Sequence, residues 1–515
     1  MKIVEIDIPP YNTSEEKDWK AIIANKINAP IDSVSAVKLI KRSIDARRGR
    51  VMMHHIFEAY TEGETPSQPY SFNYKDIHDK ARVIIVGAGP AGLFAALRLI
   101  ELGIKPIIID RGKAVEERKT DIAAINKSRI IDPDSNYCFG EGGAGTYSDG
   151  KLYTRSTKRG DVNRILHIFN TNGANQDILV DAHPHIGTDK LPAIIASMRD
   201  VILNCGGEIH FGERVNSIII KDGTAAGIKT LSGNSFEGEA VILATGHSAT
   251  DIYEMLNTAN IKLETKSYAI GVRIEHPQQL IDNIQYHGVE RVEFLPAATY
   301  SLVSQVDGKG VFSFCMCPGG SIVTASTSPD ELVLNGMSNS RRNLPFANSG
   351  IVVTIDEKDI KGFTGTLAGL HFREKIEKDA FIAGGSNLAA PAQRMMDFVE
   401  GKLSTQLPSN SYFPDVKSVP MSDILPPFVT ARLKEAFKVF NNKMKGFLTN
   451  EAILLGVESR TSSPVRIPRH AETLEHIQIA NLYPCGEGAG YSGGIVSSAI
   501  DGERCAEAVA KKILI

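Results

Sequence analysis

The chain has few cysteines, little net charge and no long hydrophobic run. Its 515 residues contain six dispersed cysteines, too few for a disulfide framework, so we expect a reducing, cytoplasmic environment. The formal net charge is −3, which provides no general attraction to nucleic acid or to an anionic membrane. The longest apolar stretch, residues 82–110, contains Arg82, Arg98 and Glu101, and these charges exclude a membrane span.

The start of the chain also lacks the pattern of a secretion signal. Glu5 and Asp7 lie where a signal peptide would carry its apolar segment, so we expect none. A chain of this length is too long for one hydrophobic core, and two or three domains are expected. The sequence shows neither an internal repeat nor a low-complexity tract.

Residue patterning divides the chain into three units, one of which is interrupted. Residues 1–75 follow the order strand, helix, strand, strand, which predicts a small α+β (β-α-β-β) module that ends in a linker. Residues 76–254 predict the first part of an α/β domain, and residues 255–475 an inserted, mixed α+β substrate domain. Residues 476–515 complete the α/β domain, so the expected fold class is α/β with an insertion.

The segment RVIIVGAGPAGLFAALRLIELGIKPIIID, which ends at Asp110, has the order strand, glycine turn, helix and strand. Gly87 permits the tight turn, Gly89 lets the backbone approach a pyrophosphate, and Gly92 allows the helix to pack closely on the strand. The helix from Pro90 directs its free N–H groups at the phosphates. Asp110 is placed to accept the hydroxyls of an adenosine ribose. The segment therefore predicts a dinucleotide site.

Two further glycine turns at strand ends favour FAD over NAD. They are ATGHSA (244–249) and CGEGAGYSGGI (485–495), and the second opens a helix at Gly494. FAD is long, and its isoalloxazine end needs backbone from distant parts of the sequence. A helix N-terminus at the N1/O2 edge of a flavin would stabilise the anionic reduced form. NAD would leave these segments without a function.

The chain resembles a family of bacterial proteins described as uncharacterised FAD-dependent dehydrogenases, within the FAD-binding branch of the glutathione reductase superfamily. The shared motifs cover nearly the whole chain and include SIDARRG, GAGPAGL, NYCFGEGGAGTYSDGKL, PHIGTDKL, FCMCPGG, GVESRTSSPVRIPR and GEGAGYSGGIVSSAIDG. The resemblance implies FAD, a Rossmann-like FAD-binding domain with an inserted domain and an N-terminal appendage, and oxidoreductase chemistry on an unstated small molecule.

The glycine turns and the resemblance together define a set of expected FAD contacts. By analogy with the superfamily, the glycine-rich loop around Gly142 would pass the pyrophosphate and the flavin. Glu487 stands where an aspartate is common at the ribityl chain. The expected FAD contacts are Gly87, Ala88, Gly89, Pro90, Ala91, Gly92, Asp110, Arg111, Gly142, Gly143, Ser148, Val215, Thr245, Gly246, Gly486, Glu487, Gly494 and Ile495.

Lys151, His247 and Cys317 are candidates for a group that exchanges a proton with the substrate. The alternatives are a solvated lysine, a half-buried structural histidine and a strand end that lines a pocket. Cys315 and Cys317 lie two apart in a strand, so we expect their side chains on opposite faces and no bond between them. No catalytic residue is assigned on this basis.

Arg460, Arg466 and Gln393 are candidates for substrate contact. Arginine forks recognise carboxylate and phosphate groups, which is one interpretation and implies an anionic small molecule. Salt bridges at a domain interface are the other. His183 and His185 have no further ligands at metal-binding spacing, so no metal is expected.

Three functions are compatible with these features. We favour an FAD-dependent oxidoreductase that transfers hydride at flavin N5 to or from a small molecule. No second GxGxxG follows a strand, so NAD(P)H would bind only transiently. An RNA- or tRNA-associated flavoprotein would use the basic stretch 38–50, which Asp45 and the lack of nearby aromatics disfavour. The third function is a non-catalytic FAD-binding adapter protein.

Overall fold

The computed structural model describes residues 1–10, 19–66, 70–154, 158–291 and 295–514. The N-terminal elements are β1 (Lys2–Ile8), α1 (Trp19–Lys26), β2 (Val34–Asp45) and β3 (Met52–Thr61). The strands pair antiparallel in the order β1-β3-β2. Alternate residues of β1 and β3 face α1, because side chains on a strand alternate between its two faces, and Val4, Ile23 and Phe57 are buried between them.

Residues 82–258 form most of an α/β unit. Its short strands β4 and β10 are apolar and buried along almost their whole length, as expected when helices or loops cover both faces of a sheet. The elements are β4 (Arg82–Val86), α2 (Pro90–Leu102), β5 (Lys105–Ile109), α3 (Val115–Ser128), α4 (Val162–Thr171), α5 (Leu191–Asn204), β6 (Glu208–His210), β7 (Val215–Lys221), β8 (Thr224–Thr230), β9 (Ser235–Glu237), β10 (Ala240–Leu243) and α6 (Thr250–Thr258).

Residues 264–466 form a second large unit around a mixed, mostly antiparallel sheet. Its elements are β11 (Glu264–Thr265), β12 (Tyr268–Pro277), α7 (Gln278–Gln285), β13 (Val303–Val306), β14 (Lys309–Thr324), β15 (Leu334–Ser338), β16 (Phe346–Ile355), α8 (Ala368–Gly384), β17 (Ala390–Arg394), α9 (Met395–Glu400), β18 (Val416–Ser418), α10 (Pro427–Lys443), β19 (Ile453–Glu458) and β20 (Val465–Arg466). The strand order is β13-β14-β16-β12-β19-β17-β18, and β15 pairs with β14. Leu433, Phe437 and Phe440 of α10 are fully buried in the core of this unit.

The end of the chain returns to the first sheet. It contributes β21 (Leu482–Pro484) and α11 (Ile495–Ile513), so the parallel sheet has the order β21-β10-β4-β5-β6. Helix α11 lies directly against α2, and a Cβ added at Gly502 would overlap the Ala91 carbonyl oxygen. This interrupted parallel sheet confirms the predicted Rossmann-like fold with an inserted mixed unit.

The N-terminal sheet docks on the α/β unit through β2. The backbone N–H of Arg42 donates to the Val180 carbonyl at 2.7 Å, and the N–H of Ala182 donates to the Arg42 carbonyl at 2.9 Å. The Arg42 guanidinium pairs with Asp181 at 2.8 Å and with Asp177 at 3.0 Å. This arginine of the basic stretch is therefore engaged within its own chain. Among the described residues, no helix is both long and apolar enough to cross a membrane.

Candidate functional site

A groove runs along the edge of the parallel sheet where β4, β5, β10 and β21 end. Parallel strands place the turns that follow them at one edge, and here those turns face one another across the groove. The predicted FAD contacts that line it are Gly87, Gly89, Pro90, Ala91, Asp110, Arg111, Gly143, Ser148, Val215, Thr245, Gly246, Glu487, Gly494 and Ile495. The tertiary structure thus gathers most of the predicted set from six separate stretches, namely 87–91, 110–111, 143–148, 215, 245–246 and 487–495.

Four of the predicted contacts lie behind this lining and support it. Ala88 and Gly142 join the first turn to the glycine-rich loop, because the Gly142 N–H donates to the Ala88 carbonyl at 2.8 Å. Gly92 packs against the Gly87 carbonyl so closely that a Cβ there would overlap the oxygen. The Gly486 N–H donates to Asp501 at 2.8 Å. Their roles are to shape the turns that face the groove.

Two helix N-termini open on the groove. Gly89 precedes α2 and Gly494 precedes α11, and no described side chain caps either helix. Their first N–H groups and the positive ends of their dipoles are therefore available to an anionic ligand. A Cβ at Gly494 or Gly246 would meet no described atom within 4 Å, and one at Gly89 only the Gly143 Cα at 3.9 Å. The open backbone fits a long ligand with a pyrophosphate, as FAD has.

Asp110 is buried at the end of β5 and has a structural role that sequence reasoning missed. Its two carboxylate oxygens accept the backbone N–H groups of Ala88 at 2.7 Å and of Gly112 at 2.8 Å. Each carboxylate oxygen can accept more than one hydrogen bond. The same side chain can therefore hold the first turn and still accept a ribose hydroxyl.

His247 and Glu487 meet in the groove although they are far apart in sequence. The His247 Nδ1 lies 3.3 Å from a Glu487 carboxylate oxygen, and both residues line the groove. Behind them, the Tyr253 hydroxyl donates to the Gly488 carbonyl at 2.7 Å and ties this turn to α6. A histidine next to a carboxylate can hold and release a proton at the groove wall.

Lys151 is not among the described residues that line the groove, and its side chain is 34% exposed. Its ammonium donates to the Met316 carbonyl and lies 3.4 Å from the Asp149 carboxylate. It is also 3.8 Å from the Cys317 sulfur. Lys151 therefore places a positive charge beside the cysteines of β14.

Strand β14 lacks the regular alternation from which we predicted opposite faces for the side chains of Cys315 and Cys317. Strand β14 bulges between Phe314 and Cys317, and Cys315 has a left-handed φ of 44°, so the regular alternation of side chains is broken. The Cys317 thiol donates to the Cys315 backbone carbonyl at 3.4 Å. Cys315 lines the groove, whereas Cys317 is fully buried.

The candidate substrate residues are largely committed to contacts within the chain. Arg460 lines the groove, but its guanidinium pairs with Glu331 at 2.7 Å and with Glu377 at 2.8 Å, and all three residues lie within the second unit rather than at a domain interface. Arg466 is outside the described lining, and its guanidinium lies 5.8 Å from the centre of the Tyr491 ring.

Gln393 is also remote from the described groove. It is buried, its amide donates to the Lys402 carbonyl at 2.7 Å, and its oxygen accepts the Met421 N–H at 2.9 Å. These two bonds use its polar atoms to connect β17 with neighbouring loops. The structure therefore gives Gln393 a packing role.

Sequence reasoning missed the contribution of the second unit to the groove. Phe314 and Asn335, from β14 and β15, line it together with Cys138 and Phe139 of the glycine-rich loop. Cys138, Phe139 and Phe314 lie in the motifs NYCFGEGGAGTYSDGKL and FCMCPGG but were not predicted as contacts, and Asn335 lies in none of the quoted motifs. Arg111 was expected to contact FAD, and its guanidinium also pairs with Asp251 at 2.7 Å.

A buried group of possible metal ligands lies behind the last glycine turn. Ligand atoms of Cys485, Asp501 and Cys505 are within 4.8 Å of one another. The Asp501 oxygens, however, accept from Arg469 at 2.6 and 2.9 Å. A guanidinium therefore already supplies the positive charge that a metal would bring, and the group positions the turn at Gly486.

Comparison with protein families identifies three regions of the chain. Residues 267–461 match the model described as "FAD-dependent protein, C-terminal domain-like". Residues 80–132 match the model described as "FAD binding domain". Residues 1–60 match a domain of unknown function. The first two matches cover the glycine turn at Gly87 and the bulged strand β14.

Individual proteins resemble this chain to different extents. An uncharacterised protein of Clostridium beijerinckii is 40% identical over 98% of this chain and 99% of its own length. The protein FixC of Salmonella typhi is 27% identical over 42% of this chain and 48% of its own length. Among solved structures, 2,6-dihydroxypyridine-3-hydroxylase from Arthrobacter nicotinovorans is 9% identical, with a TM-score of 0.37 over 84% of this chain and 83% of its own, a weak likeness. The chain therefore belongs to the same protein family as the clostridial relative, with an FAD-binding domain and the C-terminal domain of FAD-dependent proteins.

Proposed function

We propose that the protein is an FAD-dependent oxidoreductase that exchanges a hydride between flavin N5 and a small-molecule substrate. The observation that carries this proposal is the opening of two uncapped helix N-termini, at Gly89 and Gly494, on one groove. A single N-terminus would suit one phosphate group. Two of them, contributed by segments about 400 residues apart in a sequence of 515, suit a cofactor that is long and has two polar ends.

Each part of the groove has a role toward FAD. The N–H groups at the start of α2 would bind the pyrophosphate, and Asp110 would accept from the adenosine ribose. Glu487 would hold the ribityl chain, and the N-terminus of α11 at Gly494 would stabilise negative charge on the reduced flavin. When bound, FAD supplies two-electron chemistry.

The substrate would bind between the flavin and the second unit. Phe314, Cys315 and Asn335 of that unit line the groove and would contact the substrate there. His247, paired with Glu487 at 3.3 Å, is the groove histidine that holds or releases the substrate proton. Because Arg460 is engaged with two carboxylates, the proposal does not require an anionic substrate.

Two expectations from the sequence do not enter the proposal. A transient NAD(P)H contact gains no support from the comparisons. An RNA contact through residues 38–50 is disfavoured because Arg42 pairs with Asp177 and Asp181, and Arg47 with Asp45. Paired cations provide little attraction for a phosphate backbone.

The proposal is tested on the purified protein in three steps. The visible spectrum should be that of an oxidised flavin, and chromatography after denaturation should identify FAD. Anaerobic titration with NADH, NADPH and reduced small-molecule donors should then bleach the flavin with at least one of them. A protein that takes up no FAD would refute the proposal. So would a flavin that dithionite reduces but no biological donor does, which would favour an adapter protein.

A further inference from the structure

We propose that a cleft between the three units binds a nucleotide other than the cofactor of the groove, with its ring at Trp19 and its phosphates at Arg341. The cleft has a volume of about 1450 Å³. It shares no described lining residue with the groove, and the proposed function does not use it. The inference therefore stands apart from the oxidoreductase proposal.

All three units contribute walls to this cleft. Its lining includes Trp19 and His54 of the N-terminal module, His185 of the α/β unit, and His287 and Arg341 of the second unit. The His287 imidazole donates to the Ala46 carbonyl at 2.7 Å and so joins the second unit to the N-terminal module. The docking of the units thus forms a concave site, and ligand sites commonly lie between domains.

The cleft is long because it follows strand β2. The extended chain from Leu39 to Ala46, both in the lining, covers about 20 Å. Trp19 lies near Leu39, since its ring packs on Phe57 and Phe57 pairs with Leu39 in the sheet. The second unit meets the strand at Ala46. A ligand that fills the cleft is therefore elongated and contacts different units along its length.

Trp19 offers an aromatic surface to such a ligand. It is half-buried, and its ring centre lies 4.8 Å from that of Phe57 and 5.2 Å from that of His55. Phe57 and His55 are themselves buried, so these contacts hold the indole in place. A fixed indole is a surface on which a planar heterocyclic ring stacks.

Arg341 offers a positive charge on the wall formed by the second unit. Its side chain is exposed, and within the described ranges no hydrogen bond or ion pair engages its guanidinium. The neighbouring Arg342, by contrast, pairs with Asp149 at 2.9 Å. The fork of donors on an arginine suits a phosphate group.

The carboxylates of the described lining do not compete for Arg341, because each is already paired with another cation. The pairs are Asp7 with His54 at 2.6 Å, Asp45 with Arg47 at 2.6 Å, and Asp177 and Asp181 with Arg42 at 3.0 and 2.8 Å. The cleft therefore leaves the Arg341 guanidinium to an anionic group of a ligand.

Two histidines add acceptors for ligand hydroxyl groups. The Nε2 of His185 donates to the Ser340 carbonyl at 3.1 Å, and that of His287 to the Ala46 carbonyl at 2.7 Å. In the neutral imidazole the other nitrogen is then an acceptor, and no described residue donates to it. Ribose hydroxyls are suitable donors. A nucleotide combines the ring, the hydroxyls and the anion that the cleft accommodates.

Backbone conformation also marks the wall formed by the second unit. The φ angles of His287 and Arg342, both in the lining, are 55° and 49°. Left-handed conformations of this kind are costly for residues other than glycine, and they cluster at ligand sites. The contacts of His287 with Ala46 and of Arg342 with Asp149 hold these residues in place.

The first test uses the fluorescence of Trp19, which is the single tryptophan of the sequence and therefore reports on the cleft. Protein loaded with FAD and freed of excess by gel filtration is titrated with ATP, and separately with adenosine and with tripolyphosphate. ATP should change the emission and bind at least about tenfold more tightly than either fragment, because stacking and ion pairing both contribute. No change with ATP, or equal binding of tripolyphosphate, would overturn the proposal.

The second test measures the affinities of variants by isothermal titration calorimetry. Arg341→Met should weaken ATP binding about tenfold, as the loss of a charge-assisted hydrogen bond predicts. The matched control is Lys361→Met, which removes an exposed cation of the second unit outside the cleft lining. Equal affinity of these two variants for ATP would overturn the proposal.

Trp19→Leu tests the ring site in the same way. It should weaken ATP binding and leave tripolyphosphate binding unchanged, and the retained binding of tripolyphosphate shows that the variant is folded. ATP binding as tight as in the parent would overturn the assignment of the ring to Trp19.

Gly89→Val separates the cleft from the groove. This variant blocks the groove, so it should bind ATP as the parent does. Loss of ATP binding would place the nucleotide in the groove and overturn the proposal. A flavoprotein that binds no ATP refutes only the cleft site, whereas ATP binding by a protein that takes up no FAD refutes only the oxidoreductase proposal.

Discussion

The Asp110 carboxylate is bonded to the first glycine turn itself, because one of its oxygens accepts the backbone N–H of Ala88 at 2.7 Å. Its other oxygen accepts the N–H of Gly112 at 2.8 Å. The residue expected to bind the cofactor ribose therefore also joins the ends of β4 and β5. Stability and cofactor binding share one side chain at this position.

Replacing Asp110 with Asn should lower the stability of the protein even without cofactor. An amide can accept only through its single oxygen, so one buried N–H loses its partner, which costs about 1–3 kcal/mol. Urea unfolding of the apoprotein measures the free energy directly. Asp222→Asn, in the exposed turn between β7 and β8, is the matched control. Equal stability of Asp110→Asn and the parent would contradict this role.

Gly89→Val should abolish flavin binding and leave the fold intact. Gly89 has an ordinary φ of −77°, and a Cβ there meets only the Gly143 Cα, at 3.9 Å. The valine methyl groups would occupy the space through which the backbone approaches the pyrophosphate. The measurement is the flavin content of the purified variant, together with its far-UV circular dichroism.

Gly92→Ala provides the contrast to this variant. The Cβ of the new alanine would overlap the Gly87 carbonyl, so the apoprotein itself should be destabilised.

Retention of a full complement of flavin by Gly89→Val would contradict the assignment of the groove.

Arg460→Met should destabilise the protein strongly. The change leaves Glu331 and Glu377 buried without their shared cation, and breaking a buried ion pair from one side costs about 3–5 kcal/mol. Arg466→Met is the control. Arg466 is exposed, so this substitution should lower the free energy of unfolding by about 0.5 kcal/mol or less. Thermal unfolding compares the two. If Arg460→Met lowered the melting temperature no more than Arg466→Met does, the buried carboxylates of Glu331 and Glu377 would not depend on the Arg460 guanidinium.

Glu275 should make the stability depend on pH. It is buried, its carboxylate accepts from the Ser411 backbone N–H at 2.7 Å, and burial raises its pKa to about 7. Because the pKa of Glu275 is higher in the folded than in the unfolded state, a protonated Glu275 is compatible with the fold and an ionised one destabilises it. The contribution of Glu275 to the free energy of unfolding is therefore complete below the unfolded pKa of about 4.3 and is lost as the pH rises through about 7.

The uncharged variant Glu275→Gln removes this dependence. Between pH 4.5 and pH 8 the parent should lose up to about 3 kcal/mol relative to the variant. Urea unfolding at both pH values measures the difference, and a difference that does not change with pH would contradict the shift.

Local patterns in the sequence determined the parallel sheet and its glycine turns. A turn such as that at Gly87, with φ of 106°, depends on backbone conformation that only a few neighbouring residues decide. The same holds for the helix start after Gly494. These features could be predicted because their physical causes are short in range.

Only the tertiary structure decided what lies beside these turns. The bulge in β14 breaks the alternation of side chains at Cys315, and it lies where β14 pairs with β16, which residue spacing does not reveal. Arg460 became a salt-bridge partner because α8 carries Glu377 to it from far along the chain. Long-range packing sets the charge and the accessibility of each side chain, and a motif in one segment contains no information about its distant neighbours.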